Sequence, residues 1–165
     1  EVITMNWQEI CNNPAFNDLP FKFETNEWGK IEMCPASNEH SLYQMLIIEW
    51  LIRLTQTGKP LPECSIQTSK GVKVADVAWA SFDFFKRNKR SNPYLESPEV
   101  VIEIVSPSNT RAEMDLKKQL YFEKGAQEFW LCDKDGAILF FNPQQQLAKS
   151  GIILDFPPQI AIDFA

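Results

Sequence analysis

The chain has 165 residues, a length that suits one domain with a core of its own. Its 44% hydrophobic and 23% charged residues indicate a globular chain and exclude a disordered one. The formal net charge of −6 excludes a generally basic, histone-like coat, although a local basic patch can still bind nucleic acid. We therefore expect one globular domain over residues 1–165.

Cysteine usage and hydropathy indicate a cytoplasmic protein. The four cysteines form no CxxC pair and the chain has a single histidine, so zinc-ligand spacing is absent and we interpret the cysteines as reduced thiols. Residues 1–6 lack the pattern of a secretion signal. The longest apolar stretch, 42–54, is interrupted by charged residues, so we expect no membrane span.

The N-terminal part of the chain predicts a short helix followed by two short strands. The helix, over 4–11, would be capped by Thr4 and would end before Pro14. The strands, over 21–25 and 30–34, flank a turn that contains glycine.

The middle of the chain predicts a long helix and two strands. The helix starts within 37–41 and runs to about Thr55, and its apolar residues cover so much of its circumference that we expect it to be largely buried. Segments 64–68 and 72–80 are predicted strands around a turn. The segment 81–98 is a predicted long loop, rich in charge and proline.

The C-terminal part predicts a strand over 99–106 and a helix from 110 to about 124 that opens with a capping box. Strands over 127–132 and 137–142 follow, joined by a hairpin turn, and a last strand is predicted over 151–156. This order of strands and helices indicates an α/β or α+β fold, in which one sheet is flanked by helices.

Two carboxylates lie inside segments that are otherwise strongly apolar. Glu103 lies within Val-Val-Ile-Glu-Ile-Val, and Asp76 lies within the predicted strand 72–80. An ionised carboxylate inside a strand buried on both faces is costly unless it is paired or binds a cation. For either carboxylate alone we favour an ion pair or a solvent-facing strand end. If the two carboxylates lie on adjacent strands, we favour a metal site, because a divalent cation such as Mg²⁺ would offset the repulsion between them.

The predicted helix after Glu103 adds a phosphate-binding element and a lysine. Its N-terminus presents free backbone N–H groups that attract phosphate. Glu113, Lys117 and Tyr121 share one helix face, and Lys117 lies roughly 9 Å along the axis from the helix start. A flexible lysine there can reach back towards the strand ends and neutralise charge at a scissile phosphate. Helix periodicity alone favours an ordinary surface pair between Glu113 and Lys117.

The densest basic run consists of Lys86, Arg87, Lys89 and Arg90 and lies in the predicted long loop. It is equally consistent with contacts to a phosphate backbone and with a solvated loop. His40 lies at the start of the long helix. It is either a hydrogen-bonding residue near the helix cap, which we favour, or an accessory residue of the site.

Several short motifs occur in a characteristic order. From the N-terminus they are Phe23-Glu24, Gly29-Lys30-Ile31, Pro35, His40, Val74-Ala75-Asp76-Val77-Ala78-Trp79, Ile102-Glu103-Ile104-Val105-Ser106-Pro107-Ser108, Glu113…Lys117…Tyr121 and Gly125-Ala126-Gln127-Glu128-Phe129-Trp130-Leu131-Cys132-Asp133. Over about residues 21–142, this pattern resembles the Uma-type restriction endonuclease family of bacteria. That family is similar to the PD-(D/E)XK nuclease superfamily.

The resemblance implies a restriction-endonuclease-like core, which is a mixed central β-sheet flanked by helices. It also implies hydrolysis of DNA phosphodiester bonds that depends on Mg²⁺ or Mn²⁺. Asp76 corresponds to the metal-binding aspartate and Glu103 to the second carboxylate. The backbone carbonyl of Ile104 would be a third metal ligand.

Two positions depart from the superfamily pattern. Ala75 replaces the proline that often precedes the aspartate, and Val105 stands where a lysine is expected two residues after Glu103. The resemblance to Uma-type proteins implies that this lysine has moved to the following helix, where Lys117 is the matching position.

The resulting hypothesis is a metal-dependent DNA endonuclease. Glu113 and Tyr121 would orient the catalytic Lys117, His40 would support the site, and the basic run would follow the DNA backbone. An alternative is a non-catalytic nucleic-acid-binding or assembly module on a degenerate nuclease fold, favoured by the acidic net charge and the missing lysine at position 105. A third is a nuclease that acts on RNA or on branched or single-stranded nucleic acid. We also expect a homodimer, because cutting both strands of a duplex suits two-fold symmetry.

Overall fold

The structure is a computed structural model that describes residues 5–163. Within this range the chain forms a two-stranded hairpin, a six-stranded mixed sheet and flanking helices. The helices are α1 (Trp7–Asn12), α2 (Asn38–Leu54), α3 (Phe82–Asn88) and α4 (Arg111–Glu123), with a short 3-10 helix at Pro14–Phe16. The strands are β1 (Phe21–Thr25), β2 (Ile31–Pro35), β3 (Gly58–Thr68), β4 (Gly71–Ser81), β5 (Val100–Ile104), β6 (Glu128–Cys132), β7 (Ile138–Phe141) and β8 (Gln146–Leu147).

The main sheet has the strand order β3-β4-β5-β6-β7-β8. Neighbouring strands are antiparallel except β5 and β6, which are parallel and connected through α4. Val77 of β4 pairs with Ile102 of β5, so the next residues outward, Asp76 and Glu103, lie beside each other. β5 is buried along its whole length and β4 along nearly all of it, as their apolar sequences predict.

The hairpin of β1 and β2 packs over the first half of β4. The side chain of Glu24 accepts a hydrogen bond from the Val74 N–H at 3.0 Å. Gly71 permits this close approach, because its φ is +88° and a Cβ there would lie 2.4 Å from the carbonyl oxygen of Thr25. The hairpin therefore covers the strand that carries Asp76.

Helices α2 and α4 contribute to two separate core clusters. On α2, Tyr43, Ile47 and Leu51 are buried against side chains of β4, β5, β6 and β7. Tyr121 of α4 packs with Phe129 of β6 and with side chains of β3 and β4 in the second cluster. The two helices cover opposite faces of the sheet, and the hairpin and α4 meet beside the middle of β4 and the end of β5.

The start of α4 confirms the predicted capping box. The side chain of Thr110 accepts a hydrogen bond from the Glu113 N–H at 3.2 Å, and the Glu113 carboxylate accepts one from the Thr110 N–H at 2.7 Å. α1 begins at Trp7 after an Asn6 cap, whereas the predicted cap Thr4 lies outside the described residues.

The prediction that α2 is largely buried is wrong. Leu42, Met45 and Ile52 are 42%, 55% and 58% exposed, because one side of the helix meets the sheet and the other does not. Among residues 5–163, no helix is both long and apolar enough to cross a membrane.

Two other predicted elements are also wrong. The segment 81–98 contains helix α3, because the Ser81 side chain accepts a hydrogen bond from the Phe84 N–H at 3.1 Å and the buried Phe84 ring packs edge-on against Tyr94. The segment 151–156 forms bends and turns instead of a strand, because the Gly151 N–H donates to the Glu128 side chain at 2.6 Å and the Ile153 N–H to the Ser150 hydroxyl at 2.8 Å, and not to the backbone of another strand. The last strand is β8, which pairs with β7.

Candidate active site

A small pocket of about 50 Å³ lies where β1, β3, β4, β5, α2 and α4 meet. Its lining includes the side chains of Lys22, His40, Glu63, Asp76, Glu103 and Lys117. Of the site residues predicted from the sequence, it brings together both carboxylates, the helix-borne lysine, the histidine and Ile104. Ionisable side chains from six elements of the fold therefore converge on one point beside the central strands β4 and β5.

Asp76 is almost completely buried and is held by three donors. Its Oδ1 accepts from the Lys22 ammonium at 2.9 Å, and its Oδ2 accepts from the Ile104 backbone N–H at 2.8 Å. His40 Nε2 lies 3.2 Å from the same Oδ2. Burial alone would raise the pKa of Asp76, but the His40 hydrogen bond and the Lys22 charge outweigh burial and hold the pKa well below its usual range.

Glu103 has a different environment, although it is equally buried. Its Oε1 accepts hydrogen bonds from the Tyr121 hydroxyl at 2.8 Å and from the Lys117 ammonium at 3.3 Å. Burial raises the pKa of Glu103 to about 7; the Lys117 charge opposes the rise and the Asp76 charge adds to it. The two neighbouring carboxylates thus differ strongly in proton affinity, a property often found at functional sites.

Lys117 reaches the pocket from the second turn of α4. Its ammonium donates to Glu24 Oε1 at 2.8 Å and to Glu103 Oε1 at 3.3 Å, with 13% of the side chain exposed. Burial would lower its pKa, but the charges of Glu103 and Glu24 raise the pKa, so the ammonium stays protonated. Tyr121, one turn later, contacts Glu103 rather than Lys117 and so orients the carboxylate.

The sequence interpretation missed Lys22 altogether and gave Glu24 no place in the site. Lys22 Nζ donates to the Val74 carbonyl at 2.8 Å as well as to Asp76, and lies 4.0 Å from Glu103 Oε2. Burial opposes the charge of Lys22, but the surrounding carboxylates raise its pKa. The available signal was the alternation of β1, which places Lys22 and Glu24 on the same face.

Glu63 and Gln44 form another unpredicted part of the site. Glu63 of β3 has a positive φ of 52° and lines the pocket. The Gln44 side chain donates to Glu63 Oε1 at 2.9 Å and to the backbone carbonyl of Asp76 at 2.7 Å. Helix α2 therefore holds the backbone of the aspartate as well as its carboxylate.

Other predicted residues lie outside the pocket. The Glu113 carboxylate caps α4 at Thr110, so it does not contact Lys117. The basic run lies on and after α3 and contributes no side chain to the pocket lining. Within the run, Arg87 pairs with Glu96 at 3.1 Å.

The oxygen donors of the pocket fit a hard divalent cation. Asp76 Oδ1 and Glu103 Oε2 already face one positive charge, the Lys22 ammonium, at 2.9 and 4.0 Å. Mg²⁺ commonly uses one or two carboxylates and completes its shell with waters and substrate phosphate. Among residues 5–163, no group of three or more His, Cys, Asp or Glu side chains is arranged to hold an ion. Asp76 and Glu103 match in number the carboxylates that Mg²⁺ commonly uses.

The mixed sheet with its flanking helices is also found in a protein of known structure. A crystal structure from Anabaena variabilis ATCC 29413, described as "a putative nuclease belonging to DUF820", matches with a TM-score of 0.69. The match covers 86% of this chain and 81% of that chain at 20% sequence identity, a level at which the likeness concerns the fold.

The family is established by the sequence. Residues 15–162 match the model of the Uma2 family, which is described as "Putative restriction endonuclease". The chain belongs to this family, as its motifs predict. A comparison with curated proteins finds no match.

Proposed function

We propose that the protein is a metal-dependent endonuclease that hydrolyses phosphodiester bonds of DNA. The observation that carries this proposal is the meeting of Asp76, Glu103 and Lys117 in one buried pocket, although they come from three separate elements. Two carboxylates and a lysine supply the cation ligands and the positive group that such a hydrolysis needs. Membership of the Uma2 family supports the nuclease activity.

Each side chain has a distinct role in this proposal. A divalent cation held by Asp76 and Glu103, with the Ile104 carbonyl as a further ligand, would lower the pKa of a bound water and polarise the phosphate. The Lys117 ammonium would hold the attacking water or neutralise charge that develops on the phosphate. Tyr121 keeps Glu103 in place through its 2.8 Å hydrogen bond, and His40 does the same for Asp76.

Contacts with the DNA backbone would lie outside the pocket. The four residues of the basic run are exposed, and phosphate contacts of this kind position a duplex without reading its sequence.

We also propose a homodimer, which light scattering tests directly. The expected mass is twice the 19.0 kDa of one chain, whereas a single-chain mass at micromolar concentration would refute it.

The test is nicking of supercoiled plasmid with Mg²⁺ or Mn²⁺. Wild type is compared with Glu103→Gln, which keeps the size of the side chain, and with Glu123→Gln, an exposed glutamate of α4 that hydrogen-bonds Ser69 and Gln119. We expect nicking by wild type and Glu123→Gln, abolished by EDTA and lost in Glu103→Gln. Equal nicking by all three proteins would indicate a contaminant and refute the site.

The alternatives are outcomes of the same experiment. Binding of DNA without cleavage of any substrate would indicate the non-catalytic module. Cleavage restricted to RNA, or to branched or single-stranded DNA, would keep the site and change the substrate. Running these substrates beside the plasmid with the same two variants separates the three possibilities.

A further inference from the structure

The Lys22 ammonium occupies the part of the pocket that faces both metal-binding carboxylates. Its Nζ lies 2.9 Å from Asp76 Oδ1, 4.0 Å from Glu103 Oε2 and 3.8 Å from Glu24 Oε1. We propose that Lys22 is a built-in competitor of the divalent cation: its ammonium holds the carboxylates together without metal and is displaced when the metal binds. This inference rests on the proposed function only in assuming that a divalent cation is the physiological ligand of the pocket.

The hydrogen bonds of the two carboxylates identify which oxygens a cation would use. Asp76 Oδ2 is committed to the Ile104 N–H and to His40, and Glu103 Oε1 is committed to Tyr121 and Lys117. The oxygens that remain are Asp76 Oδ1 and Glu103 Oε2. Both face Lys22 Nζ, so the ammonium lies where the two available carboxylate oxygens converge.

A metal ion and the ammonium cannot share this position. Mg²⁺ binds its oxygen ligands at about 2.0–2.1 Å, so an ion on Asp76 Oδ1 that also faced Glu103 would lie in contact with Nζ. The two positive charges would also repel each other in a buried setting, where solvent screens little. The position therefore holds one cation at a time.

Lys22 can leave the pocket without disturbing the second lysine. It is carried on a flexible four-carbon chain by β1, and 15% of its side chain is exposed. Lys117 donates to Oε1 of Glu24 at 2.8 Å and to Oε1 of Glu103 at 3.3 Å. Lys22 approaches only the first of these oxygens, at 3.8 Å, which is beyond hydrogen-bond distance. Displacement of Lys22 would consequently leave the proposed catalytic lysine in place.

The test is the Kd of Mn²⁺, measured by isothermal titration calorimetry on full-length protein stripped with EDTA. Lys22→Met removes the competing charge and keeps the length of the side chain. The matched control is Lys73→Met, which removes a buried positive charge of β4 that is bound to the Thr25 carbonyl at 3.0 Å and to Glu32 at 3.5 Å. We expect Lys22→Met to bind Mn²⁺ about tenfold more tightly or better, and Lys73→Met to bind within about threefold of wild type.

An unchanged or weaker Kd in Lys22→Met, with the variant folded by circular dichroism, would overturn the inference. Should Lys22→Met unfold, Lys22→Gln replaces it, and a crystal of wild type soaked in Mn²⁺ gives an independent answer. Anomalous density between Asp76 and Glu103 should then coincide with movement of Lys22 Nζ out of hydrogen-bond distance of Asp76. Retention of that hydrogen bond beside the ion would refute displacement.

The outcome is separable from that of the proposed nuclease. Tighter Mn²⁺ binding by Lys22→Met in a protein that cleaves no nucleic acid would support the competition and refute the endonuclease. Nicking by wild type together with unchanged Mn²⁺ affinity in Lys22→Met would support the endonuclease and refute the competition. Failure of every variant to bind Mn²⁺ would overturn both.

Discussion

Replacement of Glu103 by glutamine is expected to stabilise the metal-free protein at neutral and alkaline pH. An ordinary glutamate has a pKa of 4.5, and burial raises the pKa of Glu103 to about 7 in the folded chain. The folded protein therefore binds a proton more tightly here than the unfolded chain does. Ionisation of Glu103 therefore lowers the free energy of unfolding as the pH rises from about 4.5 to 7. Above pH 7 the carboxylate is charged in both states, and this destabilisation is complete.

The size of the effect follows from the difference between those two pKa values. At 1.36 kcal/mol per pKa unit it amounts to about 3 kcal/mol as an upper limit. Glutamine keeps an acceptor for the Tyr121 hydroxyl but loses the charge that pairs with Lys117, so we expect a net gain of about 1–3 kcal/mol at pH 8. Near pH 4.5 the carboxyl group is neutral in the folded state, and the difference should approach zero.

Urea unfolding from pH 4.5 to 8.5 in the presence of EDTA measures this difference. Glu123→Gln is the control, and because it changes an exposed side chain it should stay within about 0.5 kcal/mol of wild type at every pH. A Glu103→Gln protein that is no more stable than wild type at pH 8 would refute the reasoning. A gain that does not vary with pH would also refute it, because neutralisation of a buried charge cannot produce that result.

Three further predictions concern single side chains around the site. Lys117→Met should reduce plasmid nicking by about 100-fold while Mn²⁺ binding persists, whereas Lys118→Met should leave both nicking and Mn²⁺ binding unchanged. An equal loss of nicking in the two variants would refute the role of Lys117. The pKa of His40 is raised chiefly by its hydrogen bond to Asp76, so this pKa should fall in Asp76→Asn. Proton NMR can follow the titration without ambiguity, because the chain has one histidine. An unchanged pKa of His40 would contradict the contact. Gly71→Ala should lower the free energy of unfolding, measured in urea, by more than about 1 kcal/mol. The reason is that residue 71 has a positive φ and that the new Cβ would lie 2.4 Å from the carbonyl oxygen of Thr25 in β1. A variant as stable as wild type would contradict the close packing of the hairpin.

The positions of the two carboxylates were predictable because local sequence carries the information. A charged residue within an apolar strand must have a partner, and this argument identifies Asp76 and Glu103 without knowledge of the fold. The structure confirms that both are buried and that their strands are neighbours. The capping box of α4 was equally local, because the caps of a helix depend on residues three apart.

The lysines of the pocket were harder to predict because their contacts span the chain. Helical periodicity predicted which face of α4 carries Lys117. The contact of Lys117 with Glu24, however, joins residues 93 positions apart in the sequence. In β1, alternation of aromatic and charged residues predicts an exposed charged face. Packing of the hairpin on β4 turns that face inward, so Lys22 meets Asp76 across 54 positions. The alternation of β1 thus places Lys22 and Glu24 on one face, but it does not show that this face packs against β4.

The charge balance of the pocket restricts how a phosphodiester could approach it. Asp76, Glu24 and Glu103 contribute acidic groups, and Lys22 and Lys117 are already paired with them at 2.8–4.0 Å. A phosphate entering this arrangement would gain little from ammonium groups that are already neutralised, and a buried carboxylate beside it would repel it. The proposed divalent cation would change the balance, because it would add two positive charges next to Asp76 and, on displacing Lys22, would free one ammonium to face the substrate. In the proposed function, the cation would thus let a chain of net charge −6 bind a polyanion at this pocket.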